Sequence, residues 1–174
     1  MIYIIIRLTN FTIWIIAGYI WGDWRNWSKY YSTILIFSSG NIVYNLVSNE
    51  YTLWDYTPTF VNSSVISLVM ALTVFPSTVL IFIYHYPNYR SRIIKCIYIF
   101  SWSVLYTLIE LIFNLLGLIY YEHGWNLKWS FCFNMLTFPL LLLHWRKPPL
   151  AWLGIVVLGI SLIFLFNIPL RYVE

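Results

Sequence analysis

Apolar residues come in six long runs along this chain, separated by short stretches rich in Trp, Tyr, Asn and charge. The runs fall at about 2–21, 31–49, 61–84, 95–119, 127–143 and 149–166. A helix rises roughly 1.5 Å per residue, so about 20 residues cross the hydrocarbon core of a bilayer. The last two runs are the shortest and still fall inside the working range for a span. The pattern predicts an all-α protein, a polytopic transmembrane helical bundle of about six spans. Residues 1–174 then form a single integral membrane domain with short loops and no extramembrane domain.

Charge orients this bundle. Arg25, Lys29, Arg90, Arg92, Lys95, Arg146 and Lys147 fall on the connections after spans one, three and five, whereas only Arg7, Lys128 and Arg171 fall on the other side. Lys and Arg are retained in the cytoplasm, so seven against three places both termini outside. Aromatic residues mark the same boundaries. Trp21, Trp24, Trp27, Tyr30 and Tyr31 crowd the first inner connection. Tyr51, Trp54, Tyr56, Tyr120, Tyr121, Trp125 and Trp129 mark the outer rim, since amphipathic rings prefer the headgroup level.

Composition agrees with this class. Hydrophobic residues make up 61% of the chain and charged ones 9%, against about 25% in soluble domains. The net charge of +4 is too small and scattered for nucleic-acid binding and reads as topology information. The first run is expected to be a retained span rather than a cleaved leader. No basic residue precedes it, Arg7 interrupts it, and no small-x-small cleavage site follows. Cys96 and Cys132 fall at different depths, which argues against a disulfide within the chain and predicts buried spectator thiols.

Polar residues inside spans carry the candidate chemistry. Glu110 is the sharpest, because an ionised carboxylate near mid-bilayer costs roughly 2.5–3.5 kcal/mol. It needs a partner, water or a proton. Tyr106 and Asn114, four residues away on either side, share its helix face. Asn41 and Asn45 on span two, Arg7 and Asn10 on span one, and Asn134 on span five lie at comparable depth. Together they predict a polar pocket in the outer half of the bundle around Glu110, with Arg7 as its counter-charge. The bland alternative is that the asparagines are packing glue between helices and that Arg7 snorkels to the surface.

The outer connection Tyr120-Tyr121-Glu122-His123-Gly124-Trp125-Asn126 is the second unusual stretch. Gly124 permits a tight turn, and Glu122 with His123 is a candidate acid/base or ligand pair, set against a plain aromatic turn at the interface. His85, Cys96 and His144 are ligand types at inner span ends, without the spacing of a structural zinc site, so no metal is assigned. Phe75-Pro76 and Phe138-Pro139 predict kinks in spans three and five, or the trace of a parallel repeat. No Gly-x-Ser-x-Gly, His-Glu-x-x-His, phosphate-binding glycine loop, aspartate cluster or filter-like glycine run is found. No catalytic residue or cofactor is therefore assigned.

Several stretches together resemble a known family. They are Trp24-Arg25-Asn26-Trp27-Ser28-Lys29-Tyr30-Tyr31-Ser32-Thr33, Gly40-Asn41 with Tyr44-Asn45, Phe75-Pro76-Ser77-Thr78, Tyr106-Thr107-Leu108-Ile109-Glu110, His123-Gly124-Trp125-Asn126 with Trp129-Ser130, and Leu143-His144-Trp145-Arg146-Lys147-Pro148. The set resembles an uncharacterised family of small six-span integral membrane proteins of Gram-positive endospore-forming bacteria. Leu111 and Ser32 depart from the family's frequent tryptophan and proline. The resemblance implies a multi-pass protein of a bacterial cytoplasmic membrane and supplies no catalytic residues.

The resulting expectation is a non-enzymatic membrane component, either an assembly subunit or a binder of lipid or small molecule near Glu110. Membrane lipids are its expected partners, with a membrane protein or a second copy as further ones. One alternative is a small dimeric transporter using Glu110 as a proton or substrate site. Another is a lipid-acting membrane enzyme with Glu110 or His123 as general base.

Overall fold

The computed structural model describes residues 2–48, 51–59 and 61–169. Among them the chain forms seven α-helices: α1 (Ile2–Trp21), α2 (Tyr31–Val47), α3 (Ser63–Leu72), α4 (Val74–Tyr84), α5 (Arg92–Leu115), α6 (Leu127–Arg146) and α7 (Pro148–Phe166). Two short strands, β1 (Trp54–Tyr56) and β2 (Ile119–Tyr121), and a 3-10 helix at Trp24–Lys29 complete the fold. Four stretches are long and apolar enough to cross a membrane: Ile2–Trp21, Ser63–Tyr84, Arg92–Leu115 and Pro148–Phe166. α2 is shorter, and α6 carries Lys128, Asn134, His144 and Arg146.

Local signals set most boundaries. Asn62 caps α3 by accepting from the Val65 amide, and Asn126 caps α6 by accepting from the amides of Lys128 and Trp129. Pro148 starts α7, where its missing N–H is no loss. One boundary corrects the expectation. The fourth apolar run was expected to stay helical to 119, but α5 stops at Leu115. Gly117 takes a left-handed φ of +69°, and the Leu118 amide donates back to the Phe113 carbonyl at 2.8 Å. That closing turn releases residues 119–121 to become β2.

The two Phe-Pro pairs have different outcomes. Pro76 lies in the first turn of α4, and the third run breaks just before it at Thr73, with φ −123° and ψ −64°. Pro76 has no N–H to donate to the Leu72 carbonyl and its ring crowds that group, so the helix breaks at Thr73 and α3 and α4 are separate. Pro139 lies inside α6, which is one continuous helix across it. Unequal outcomes give no support to the repeat.

Helix α4 sits at the centre. Val74, Phe75, Val79, Phe82 and Ile83 are all buried, with α1 and α2 packed on this helix and α5 and α6 meeting it through Tyr98, Trp102 and Phe138 around Phe82. Phe82 and Phe138 meet edge to face at 4.9 Å, and Tyr106 and Trp14 continue this aromatic column at 5.2 and 5.7 Å. In hydrocarbon, helices do not associate to escape solvent, so interlocking shape and polar contacts hold them together. α7 lies outside this ring and packs on α6. Its outward face, with Leu153, Val156, Ile160 and Phe164, is exposed. An apolar exterior around a core that contains Arg, His, Ser and Thr is the reverse of a water-soluble bundle.

The chain crosses between two ends. At one, β1 and β2 pair antiparallel, with Trp54 opposite Tyr121, Asp55 opposite Tyr120 and Tyr56 opposite Ile119. α3, α4 and α5 separate the two strands in the chain, so the pair is hairpin-like in shape only; this hairpin end also receives the start of α1 and the segment after α7, since Arg7 and Ile168 pack there. At the other end Tyr30 stacks on Trp145, Arg146 donates to Asn88, and His85 bonds the Trp21 carbonyl. That ring nitrogen carries the proton, because a carbonyl can only accept.

Candidate functional site at the hairpin end

Glu110 lies on α5 five residues before its end at Leu115, roughly 7–8 Å along the axis. The early stop of α5 therefore puts the carboxyl much closer to the hairpin end than the mid-span position expected from the apolar run. Its Oε1 accepts from the Tyr121 hydroxyl at 2.8 Å and from the Ser130 hydroxyl. Ser130 in turn accepts from the Trp125 indole N–H at 2.8 Å. The result is a directed chain from Trp125 through Ser130 to Glu110, with Tyr121 as a second donor. Burial, reinforced by the neighbouring carboxyl, holds the Tyr121 phenol above its ordinary range, so it remains a donor. Among the described residues Oε2 accepts no hydrogen bond.

One turn further into the bundle, Asn134 on α6 donates to Thr107 on α5 at 3.2 Å. Ser130–Glu110 and Asn134–Thr107 are thus two polar rungs between the same pair of helices. Asn114 does not join them. Its amide donates to the Ile119 carbonyl at 3.0 Å and bridges the turn that ends α5. Tyr106, on the same face of α5, bonds Thr78 on α4.

The pairing of Arg7 with Glu110 is corrected. The Arg7 fork is buried and donates to the carbonyls of Thr57 at 2.6 Å and Leu118 at 3.2 Å, and to the Thr59 hydroxyl at 3.3 Å. These acceptors flank the β1–β2 pair, where the Thr57 amide donates to the Leu118 carbonyl at 2.9 Å. Five rigid N–H donors suit several carbonyls better than one carboxylate, and the side chain is drawn to the backbone rather than snorkelling. No ion pair joins Arg7 to Glu110 among the described residues.

Asn41 and Asn45 are also away from Glu110. Asn41 donates to the Ser67 carbonyl of α3 at 3.2 Å, and Asn45 donates back to the Asn41 carbonyl at 2.8 Å. The single convergent pocket is therefore replaced by separate junctions, one for each pair of elements. His123 sits at the tip with a left-handed φ of +49° next to Gly124 at +83°. Its Nδ1 donates to the Thr52 carbonyl at 2.8 Å, and its ring stacks on Tyr51 at 3.6 Å. Glu122 accepts from the Thr52 hydroxyl at 3.2 Å. The expected acid/base pair thus pins one loop to the other through Thr52.

Tyr44 organises the second half of the cap. Its hydroxyl accepts from the amides of Leu53 and Trp54 and donates to the Trp54 carbonyl, all at 2.9 Å. The Trp54 ring stacks on it at 3.8 Å. Sequence reasoning missed Ser130, Tyr121, Trp125, Thr57 and Tyr44 as polar partners, because each reads locally as an interfacial aromatic or a small loop residue. A usable signal was present for one of them: Asn134, already a candidate, is four residues from Ser130 and therefore on its helix face.

Cys96 and Cys132 are both free, and both are exposed on the outer face of the bundle rather than buried. No group of three metal-ligating side chains forms among the described residues. His144, at the far end, bonds Thr33 through Nδ1 at 3.0 Å in a buried contact. Compared with protein families, with curated proteins and with solved structures, the chain matches none of them.

Proposed function

We propose that this chain is a six-span integral protein of a bacterial cytoplasmic membrane, with both termini outside and the hairpin end at the outer surface. Its role is that of a non-enzymatic component that holds a lipid headgroup or another small polar ligand at Glu110. The family of small endospore-former membrane proteins is the proposed kinship. Orientation rests on the crowding of Lys and Arg at the end opposite the hairpin.

One observation carries the ligand reading. Both hydroxyl donors converge on Oε1 of Glu110, leaving Oε2 of a carboxyl in the apolar zone without a protein donor among the described residues. A ligand with an N–H or O–H group completes that carboxyl at little loss of other contacts. The neighbouring asparagines already donate to protein acceptors, which suits scaffolding better than proton traffic.

Native mass spectrometry of the protein extracted from its own host in lipid nanodiscs tests this. The expected result is a bound small species that disappears in Glu110→Gln, while that variant keeps the wild-type elution position and helicity. A wild-type protein that carries only another protein subunit, or none of whose bound species is lost in Glu110→Gln, would overturn the reading.

A further inference from the structure

A groove of about 370 Å³ runs between α6 and α7. That volume lies in the usual range for small-molecule sites, roughly 300–1,000 Å³. Trp129, Phe133, Leu136 and Leu140 form one wall, and Val157 and Leu162 belong to the other. From Trp129 to Leu140 the wall spans eleven residues of helix, roughly 16 Å. Half of a hydrocarbon core of about 30 Å is close to that length. The groove is one leaflet deep.

Its two ends differ. Toward the hairpin its lining ends in Trp125 and Trp129, residue types that favour the headgroup level, with Phe166 of α7 packed on both rings at 5.1 and 5.2 Å. Lys128, in the first turn of α6, is exposed there. At the far end α6 and α7 close on each other at Gly154, where even a Cβ would lie 2.7 Å from the Leu140 side chain. An apolar trough pinched at its inner end, lined by indoles toward the hairpin and with an exposed cation in the first turn of α6, matches one acyl chain hanging from an anionic headgroup.

We propose that this groove seats one acyl chain of an anionic phospholipid from the leaflet on the hairpin side, with its phosphate facing Lys128. The site does not use Glu110, and it stands whether or not the carboxyl binds a ligand.

The test uses the full-length chain, stripped of lipid in detergent and titrated with phosphatidylglycerol under native mass spectrometry. The expected result is preferential retention of one lipid. Ser161→Trp and Cys132→Trp, which fill the groove from opposite walls, should weaken retention about tenfold. Glu110→Gln should keep it, and Lys128→Gln should remove the preference for phosphatidylglycerol over phosphatidylcholine. The wild-type chain provides a second reading without altering the walls. Phosphatidylglycerol should slow alkylation of Cys132 several-fold and leave that of Cys96 unchanged. Equal retention in the filled variants, no retained lipid in the wild type, a lipid-free dimer closed over the groove, or equal protection of both thiols would each overturn the proposal.

Discussion

The hydroxyl of Tyr121 on β2 donates to Oε1 of Glu110 on α5 at 2.8 Å, joining the hairpin to the bundle at the one acidic side chain within these helices. Removing the acceptor leaves both the Tyr121 and Ser130 hydroxyls short of a partner. Glu110→Leu should therefore destabilise the protein by about 1–3 kcal/mol. Glu110→Gln keeps an oxygen acceptor and should fall well below that. Thermal unfolding in detergent checks the order; equal losses for Gln and Leu would show that the charge, not the acceptor, matters.

Arg7 ties α1 to both strands' ends through the carbonyls of Thr57 and Leu118. Arg7→Lys retains charge but not the fork, so it should lose most of what Arg7→Met loses, about 1.5–3 kcal/mol. Hydrogen exchange at the Thr57 amide should rise in both variants. Unchanged exchange there would mean that the hairpin holds without α1.

Gly18 lets α1 approach α4 closely. A Cβ at this position would meet the Ser77 Oγ at 2.7 Å and its Cβ at 2.9 Å, while the Ser77 Cα is at 3.2 Å. Gly18→Ala should cost about 1–3 kcal/mol through overpacking, and Ser77→Gly in the same chain should recover part of it. A double-mutant cycle with no coupling would refute the contact.

At the opposite end Tyr30 donates to Asp23 at 3.0 Å. Burial, aided by that carboxylate, pushes the Tyr30 phenol up to about 12. Unfolded tyrosine titrates near 10, so the folded value is raised. The stabilisation is therefore full below about pH 10 and is lost as pH rises through about 12. The unfolding temperature should stay level from pH 7 to 9 and then fall, and Tyr30→Phe should make the alkaline fall shallower. An identical alkaline profile in that variant would assign the fall to other groups.

The places where the sequence misled share a cause. Residues 116–119 read as apolar continuation, and only the left-handed Gly117 turns them into a strand lead-in. Arg7 and Glu110 are complementary charges at compatible depths, yet rotation of α1 points the guanidinium at backbone carbonyls. Both cysteines are apolar-run residues whose helix face, not their depth, decides that they are exposed.

From the sequence alone came the run lengths, the asymmetry of Lys and Arg, and Glu110 as the unusual side chain. These properties are local, so each is readable within a window of one helix or one turn. Which donor meets which acceptor was decided by tertiary structure. β1 pairs with β2 across more than sixty intervening residues, Ser130 meets Glu110 only because α5 and α6 pack in one register, and the α6–α7 groove exists only between two helices. Hydropathy is a property of each segment, whereas hydrogen-bond partners depend on the rotation and offset of segments against each other, and a one-residue shift around a helix turns a side chain by about 100°.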